Sequence, residues 1–318
     1  MATQEKIRLI LFLLFVLSIY VLAGSLVLRE IGARLGFWKT KKTRLVRWVN
    51  IVVLAFAVIG ILCFSYGYFI EPYWLDIRFV RVDSDKVKGS ASPLRIVHLS
   101  DIHSDRKPRL EPKLPSTIEE LSPDLIFFTG DTINSPKALP VFKNMLREIG
   151  LIAPTYVVRG NYDIGFWSGL DLFGDTGAVL VSEGSIKKEI RGTKIHIAGI
   201  DPFDEHLLDQ AVSDVAEDEV SLFLSHYPLA LRNHQKGKID FIFSGHVHGG
   251  QVALPFYGAI ITLSPHGKTY ERGLYQKDGY SLYVSRGIGM EGGIMPRVRF
   301  WSRPEITVID VDRIATTQ

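Results

Sequence analysis

The chain has 318 residues, 47% of them hydrophobic, a net charge of +3 and a single cysteine, Cys63. That length holds one sizeable catalytic domain plus a membrane-related segment. So small a net charge gives nucleic-acid binding no support, and a lone cysteine excludes an intramolecular disulfide framework.

Residues 9–28 and 51–70 contain no charged side chain, and each is about 20 residues long, the thickness of a bilayer core. Both are read as transmembrane helices. A cleaved signal peptide is the rival for the first, but its apolar run exceeds a signal core and no small-residue cleavage pattern follows. Between them, residues 29–50 hold Arg29, Arg34, Lys39, Lys41, Lys42, Arg44 and Arg47 against Glu30 alone. The positive-inside rule makes that loop cytoplasmic and puts both chain ends, with the catalytic domain, outside the cytoplasm. Residues 1–70 are thus a membrane anchor. Residues 71–93, ending Gly89-Ser90-Ala91-Ser92-Pro93, read as an extended stalk, and 94–318 as the catalytic domain.

From Leu94 on, strand and helix alternate. Strands are expected at 95–100, 124–129 and 155–159, with helices near 115–121 and 137–149 between them. Shorter strands follow at 185–190 and 194–199, then an acidic stretch around 204–219. Buried-strand character returns at 222–225 and 239–244, and the tail is strand-rich. The fold class is α/β, a sandwich of two mixed sheets flanked by helices.

Five motifs stand directly behind apolar runs: Asp101-Ile102-His103, Gly130-Asp131, Gly160-Asn161-Tyr162-Asp163, Ser225-His226, and Gly245-His246-Val247-His248-Gly249-Gly250-Gln251. Ligand-type side chains at the carboxyl ends of buried strands mark the active edge of an open α/β sheet. Carboxylate, amide oxygen and imidazole together suit Mn, Fe or Zn. Asp101, His103, Asp131, Asn161, His226, His246 and His248 are more ligands than one tetrahedral site uses, so two divalent ions are expected, with a carboxylate between them. Such a pair polarises a phosphoryl oxygen and makes a hydroxide nucleophile of a bridging water near neutral pH, which is hydrolysis of a phosphate ester or anhydride.

These motifs resemble those of the calcineurin-like metallophosphoesterase superfamily, and more narrowly its bacterial membrane-associated branch with the G-H-x-H-G-G-Q motif. The resemblance runs from Leu94 to about Val311. It includes Tyr283-Val284-Ser285-Arg286-Gly287-Ile288-Gly289 and Arg303-Pro304-Glu305-Ile306, which look like the branch's closing strands. It implies a four-layer α/β/β/α sandwich. It also implies that Asp101, His103, Asp131 and His248 hold one metal, and that Asp131, Asn161, His226 and His246 hold the other, with Asp131 the bridge. The third motif departs from the family's G-N-H-[DE], because Tyr162 stands where a histidine is usual. A phenol with a pKa near 10 is a weaker acid than imidazolium, so Tyr162 is expected to orient substrate and good leaving groups to be preferred. Asp163 is expected to hold its loop by hydrogen bonds, with acid/base work as the alternative.

The remaining candidates have structural readings. His98 and His196 fall in strands, His206 and His234 in polar surface segments, and His266 in a turn. Arg106, Lys107, Arg109 and Lys113 read as a solvated loop, with steering of an anionic substrate as the alternative. Phe166, Trp167, Leu170, Leu172 and Phe173 read as a helix face packed on the sheet, with an acyl-chain groove as the alternative.

The expected function is a membrane-anchored dinuclear phosphohydrolase that cleaves a phosphodiester, phosphomonoester or pyrophosphate. The anchor points to a lipid-linked or envelope substrate, either of the UDP-2,3-diacylglucosamine type or a phospholipid-like phosphodiester. A metal-binding membrane scaffold without turnover is the alternative from another class. A channel is disfavoured by the absence of charge from both spans. Oligomeric state is left open.

Overall fold

The structure is a computed structural model that describes residues 3–37, 43–88, 92–264, 266–277, 279–292 and 297–314. Lys39, Lys41 and Lys42 of the basic loop and Gly89, Ser90 and Ala91 lie outside these residues.

Two long helices open the chain, α1 (Thr3–Arg34) and α2 (Arg44–Phe69). Thr43 caps α2, its hydroxyl accepting from the Val46 N–H. Both are long and apolar enough to cross a membrane, and only 6% of each apolar window is buried, so neither is the core helix of a soluble domain. They pack against each other where Gly60 makes room for the Tyr20 ring, whose hydroxyl donates to the Ala57 carbonyl at 3.3 Å.

The catalytic unit follows in chain order: β1 (Asp76–Ser84), β2 (Leu94–Leu99), α3 (Leu114–Leu121), β3 (Leu125–Phe128), α4 (Leu139–Gly150), β4 (Thr155–Val157), α5 (Asn161–Trp167) and β5 (Val179–Leu180). Next come β6 (Ile186–Ile190), β7 (Thr193–Ile200), α6 (Leu208–Ala211), β8 (Val220–Ser225), β9 (Phe241–Ser244), β10 (Ala253–Leu254) and β11 (Gly258–Ala259). The chain closes with β12 (Gly273–Lys277), β13 (Tyr280–Val284) and β14 (Glu305–Arg313). One six-stranded sheet has the order β1-β14-β2-β3-β4-β5 and the other β12-β13-β9-β8-β7-β6. In both, the strands that carry the motifs run parallel to one another, while β2 is antiparallel to its other neighbour, β14.

Side chains alternate across these strands and sort the core into layers. Ile96, Phe127, Leu222, Leu224 and Phe243 meet between the sheets. Val97, Leu99, Ile126 and Phe128 point the other way, onto Leu114, Ile118, Phe142 and Leu146 of α3 and α4. On the far face, Phe223, Ile242 and Leu282 pack with Leu208, Leu229 and Tyr270. Burial on both faces explains the near-continuous apolar runs of the central strands, and the result is the expected four-layer α/β sandwich.

The expected stalk at 71–93 needs correction. Asp76–Ser84 is a strand of the first sheet, paired in parallel with β14 over its whole length. Glu71 is buried, and its carboxylate accepts from the N–H groups of Trp301 and Ser302 at 2.9 and 2.5 Å. Helix α2 therefore runs straight into the catalytic fold. Arg286 reinforces this junction by pairing with Glu305 and, at 2.5 Å, with Asp76, while the Tyr283 hydroxyl donates to Glu305 at 2.7 Å. Residues of the tail motifs thus tie the two sheets together.

Candidate metal centre

The five motif loops leave the carboxyl ends of β2, β3, β4, β8 and β9 along one edge of the sandwich, as parallel strands require. The backbone there is unusual, since Asp101, His103, Asp131, His246 and His248 all have φ between +42° and +67°. Non-glycine residues adopt such angles at a cost of about 1 kcal/mol or more, and their clustering marks a functional site. Two glycines make the convergence possible. Gly130 has φ +89°, and its missing side chain admits the Gly160 backbone. At Gly245 a methyl group would collide with the Ser100 hydroxyl and the Asp101 carboxylate.

Asp131 is the centre of the cluster. Its Oδ2 is 3.4 Å from His103 Nε2 and 3.4 Å from His226 Nε2, while Oδ1 accepts from the Tyr162 N–H at 2.8 Å. The two histidines come from different sheets, so this carboxylate lies between two half-sites. On one side, Asp101, His103 and His248 bring donor atoms within 4.8 Å of one another, with His248 Nε2 3.4 Å from Asp101 Oδ1. On the other, Asn161 Oδ1 is 2.9 Å from His226 Nε2. His246 adjoins His226 with ring centroids 5.1 Å apart, and its Nε2 faces the Leu263 carbonyl at 3.3 Å, leaving Nδ1 for an ion.

The donor set fits metal ions. His226 Nδ1 lies 2.7 Å from the Thr129 carbonyl, which can only accept, so Nδ1 carries a proton. The Nε2 lone pair then faces two oxygens, Asn161 Oδ1 and Asp131 Oδ2, an arrangement that only a proton or a cation reconciles. His103 is buried, with neither ring nitrogen in an aligned hydrogen bond among the described residues. Electrostatics agree. Although burial opposes charge, the Asp131 and Asp101 carboxylates push the His226 imidazole up to about 9. The same histidines outweigh burial at Asp131 and hold its carboxyl well below the usual range. Burial and the neighbouring His226 take His246 down to about 3.

Asp163 is fully buried and accepts from the N–H groups of Gly160, Asp131 and Thr132 at 2.7–2.9 Å and from the Thr132 hydroxyl at 2.7 Å. Four donors fill its lone pairs, so it positions the second and third motifs and is not free for acid/base work. The Tyr162 hydroxyl donates to Glu291 Oε1 at 2.9 Å. Burial and the Glu291 carboxylate push the phenol well above its ordinary value.

Two residues of the site were not singled out in the sequence. Glu291 stands just past the tail loop, which bonds to the first motif through Ile288 N–H to Ser100 O (3.1 Å) and Gly289 N–H to Asp101 O (2.6 Å). Its only sequence signal was a carboxylate set among Gly289, Gly292 and Gly293. Arg299 is fully buried, donates to the carbonyls of Arg286, Gly287, Gly289 and Ser302, and brings Nη2 to 3.3 Å from His248 Nδ1. Burial lowers it to about 9. Nothing in its local sequence distinguishes it from a surface arginine.

The other candidates take their structural places. His98 bonds Thr129 Oγ1 at 2.9 Å inside β2, and burial lowers it to about 3. His196 meets Asp214 at 2.9 Å, His234 meets Asp209 at 3.1 Å, His266 stacks edge-on with Tyr270, and His206 is exposed. Arg106, Lys107 and Lys113 are exposed, while Arg109 turns toward Asp105 at 3.9 Å. Trp167, Leu170, Leu172 and Phe173 pack on the core beside α4, with Phe166 left outside, and their outer side lines a cavity together with Arg159, Asp163 and Ile164.

The family of calcineurin-like phosphoesterases matches residues 94–250. An uncharacterized metallophosphoesterase of Bacillus subtilis, YkuE, is 32% identical over 261 residues, which cover 77% of this chain and 88% of that one. The phosphodiesterase YaeI of Escherichia coli is 27% identical, with 78% and 92% of the two chains covered. The UDP-2,3-diacylglucosamine pyrophosphatase LpxG of Chlamydia trachomatis is also 27% identical, with 76% and 90% covered. With this likeness extending well beyond the five motifs, and a buried cluster of metal-type ligands where they meet, the chain belongs to the calcineurin-like phosphoesterase family.

Proposed function

We propose that this protein is a membrane-anchored, two-metal hydrolase that cleaves a lipid-linked phosphodiester or pyrophosphate at the outer face of the membrane. The observation that carries the two-metal reading is Asp131 Oδ2, equidistant at 3.4 Å from histidines of two half-sites. Asp101, His103, Asp131 and His248 would hold one ion and Asp131, Asn161, His226 and His246 the other, with Mn, Fe or Zn matched to this oxygen and nitrogen set. When bound, the ions supply Lewis-acid polarisation of the phosphoryl group and a water acidic enough to attack near neutral pH. Asp163 and Arg299 keep the ligand loops in register. Tyr162, committed to Glu291, lines the approach to Asp131 without a proton to spare for the leaving group.

Anchoring supports a lipid-linked substrate, because a fixed enzyme gains little in reaching a freely soluble one, and a relative, LpxG, is named for such a pyrophosphate. The basic end of the helical hairpin supports the outer orientation, which favours a phospholipid-like or wall-polymer phosphodiester over a cytoplasmic nucleotide lipid. A scaffold without turnover has no need of seven ligand side chains at one point.

The test is hydrolysis of bis-p-nitrophenyl phosphate by the full-length protein in detergent with Mn²⁺. Asp131→Asn should lower kcat by roughly a thousandfold, the scale set by losing a group that stabilises the transition state. Equal rates for the two proteins would remove the enzyme reading.

A further inference from the structure

The front of α1 does not end in the bilayer. Its first turns lie on the catalytic domain. Glu5, buried in this contact, accepts at its Oε1 from the Thr262 N–H at 3.0 Å and from the Thr262 hydroxyl at 2.6 Å. One turn further on, Leu9, Phe12 and Leu13 face Ile260, Ile261 and Leu263 across a cavity of about 120 Å³. The inner end of the same cavity is formed by His246, His248 and Glu291. An apolar chamber therefore opens directly off the metal-ligand cluster, and one of its walls is a helix that continues into the membrane.

We infer that this chamber binds the first carbons of the acyl or alkyl chain of a phosphorylated lipid, with α1 forming one wall of the substrate site. The inference rests on the hydrolase reading above and adds to it the route of the substrate. The lining is mostly aliphatic or aromatic, the Thr262 hydroxyl is taken up by Glu5, and the ionisable groups that line it are His246, His248 and Glu291. An amphiphile with a phosphate head and a hydrocarbon tail matches that gradient, and a soluble nucleotide or sugar phosphate does not. The volume is close to the roughly 150 Å³ of an apolar cavity that accepts benzene, so only the start of a chain fits. The rest runs along α1, whose Leu13, Leu14 and Leu17 are exposed, into the hydrocarbon from which the lipid came. Glu5 pins the wall in place, so the substrate enters sideways from the bilayer.

Two measurements on the full-length protein in phosphatidylcholine nanodiscs test this. The first is photolabelling with hexadecyl phosphate carrying a diazirine close to its head. Label should fall on the peptide containing Ile260, Ile261 and Leu263 as well as on that of Leu9 and Leu13, and should be competed by hexadecyl phosphate but not by ethyl phosphate. Label confined to the lipid-facing helices would overturn the inference. The second compares p-nitrophenyl hexadecyl phosphate with p-nitrophenyl ethyl phosphate. Leu13→Trp, which fills the chamber, should lower the long-over-short ratio of kcat/KM by about tenfold, the scale of steric exclusion from an apolar pocket. An unchanged ratio would overturn it. Label at 260–263 with neither ester cleaved would defeat the hydrolase reading and leave the chain-binding site standing. Cleavage without that label would do the reverse.

Discussion

Tyr162 sits where the family's usual residue is a histidine, and its surroundings decide what it can do. The hydroxyl is already donated to Glu291 at 2.9 Å, and burial beside that carboxylate raises its pKa, so it is a poorer acid than a free phenol. Protonation of the leaving group by this side chain is therefore not available at neutral pH. Rates should fall steeply as the leaving group becomes more basic, and Tyr162→Phe should shift all substrates by a similar, modest factor. Measuring kcat for a series of substituted phenyl phosphodiesters checks this. A steeper dependence on leaving-group pKa in Tyr162→Phe than in the parent would show that the hydroxyl donates a proton after all. Gly245 makes a complementary case, since its role is to have no side chain. A methyl group there would meet the Ser100 hydroxyl and the Asp101 carboxylate. Gly245→Ala should weaken Mn²⁺ binding by about tenfold to a hundredfold, as loss of ligand positioning does elsewhere, and titration calorimetry would read it directly. Unaltered affinity would mean that the loop relaxes freely. Glu291 and Arg299 mark the limit of sequence reading at this scale. Glu291 meets Tyr162 across 129 residues, and Arg299 acts through the carbonyls of a folded-back tail and His248, contacts that no local pattern encodes.

Among the elements, the motif-bearing strands were legible because burial on both faces leaves an unbroken apolar run and the ligands follow immediately. The strand at Asp76–Ser84 was not, for a physical reason. It is an edge strand with Arg78 and Arg81 exposed on its two faces, and charge is how edges avoid pairing with other chains. Its partner β14 lies at the other end of the chain, so the pairing leaves no nearby trace. Asp76 fastens this edge through Arg286 and Arg303. Burial pushes its carboxyl up, but the arginines prevail and hold it below the usual value. A carboxylate whose folded pKa is depressed adds stability that is complete above its unfolded pKa and disappears as the pH falls through the folded one. The destabilisation caused by Asp76→Asn should thus be greatest at neutral pH and fade as the pH falls below the ordinary carboxylate range. Thermal melts across that range provide the measurement, and a pH-independent difference would show that the packing of the side chain matters more than its charge.

For the molecule as a whole, the stalk correction changes how the site relates to the membrane. Both helices touch the catalytic domain at their near ends, α1 through Glu5 on Thr262 and α2 through the Gly67 carbonyl, which accepts from the Arg299 N–H at 2.9 Å. Arg29, Arg34, Arg44 and Arg47 lie at the opposite end of the hairpin. A site hung on a stalk would move freely relative to the helices, whereas this one is fixed at their ends. Exposed aromatic side chains surround that junction: Tyr73 and Trp74 just after α2, Trp301 beside Glu71, and Phe256 on a turn whose strand bonds Phe300. Tyrosine and tryptophan are the residues enriched where headgroups meet water, so the surface around the metal cluster is suited to rest on the lipid. The outward orientation proposed above rests on charge: by the positive-inside rule a hairpin whose far end is basic would keep that end in the cytoplasm and turn the near end, with the catalytic domain, outward. A carboxyl-terminal fusion to alkaline phosphatase should therefore be active and the matching fusion to GFP dark. The opposite pair of results would turn the hairpin over, bringing the metals to the cytoplasmic leaflet and making a nucleotide-linked lipid the better substrate for the same chamber.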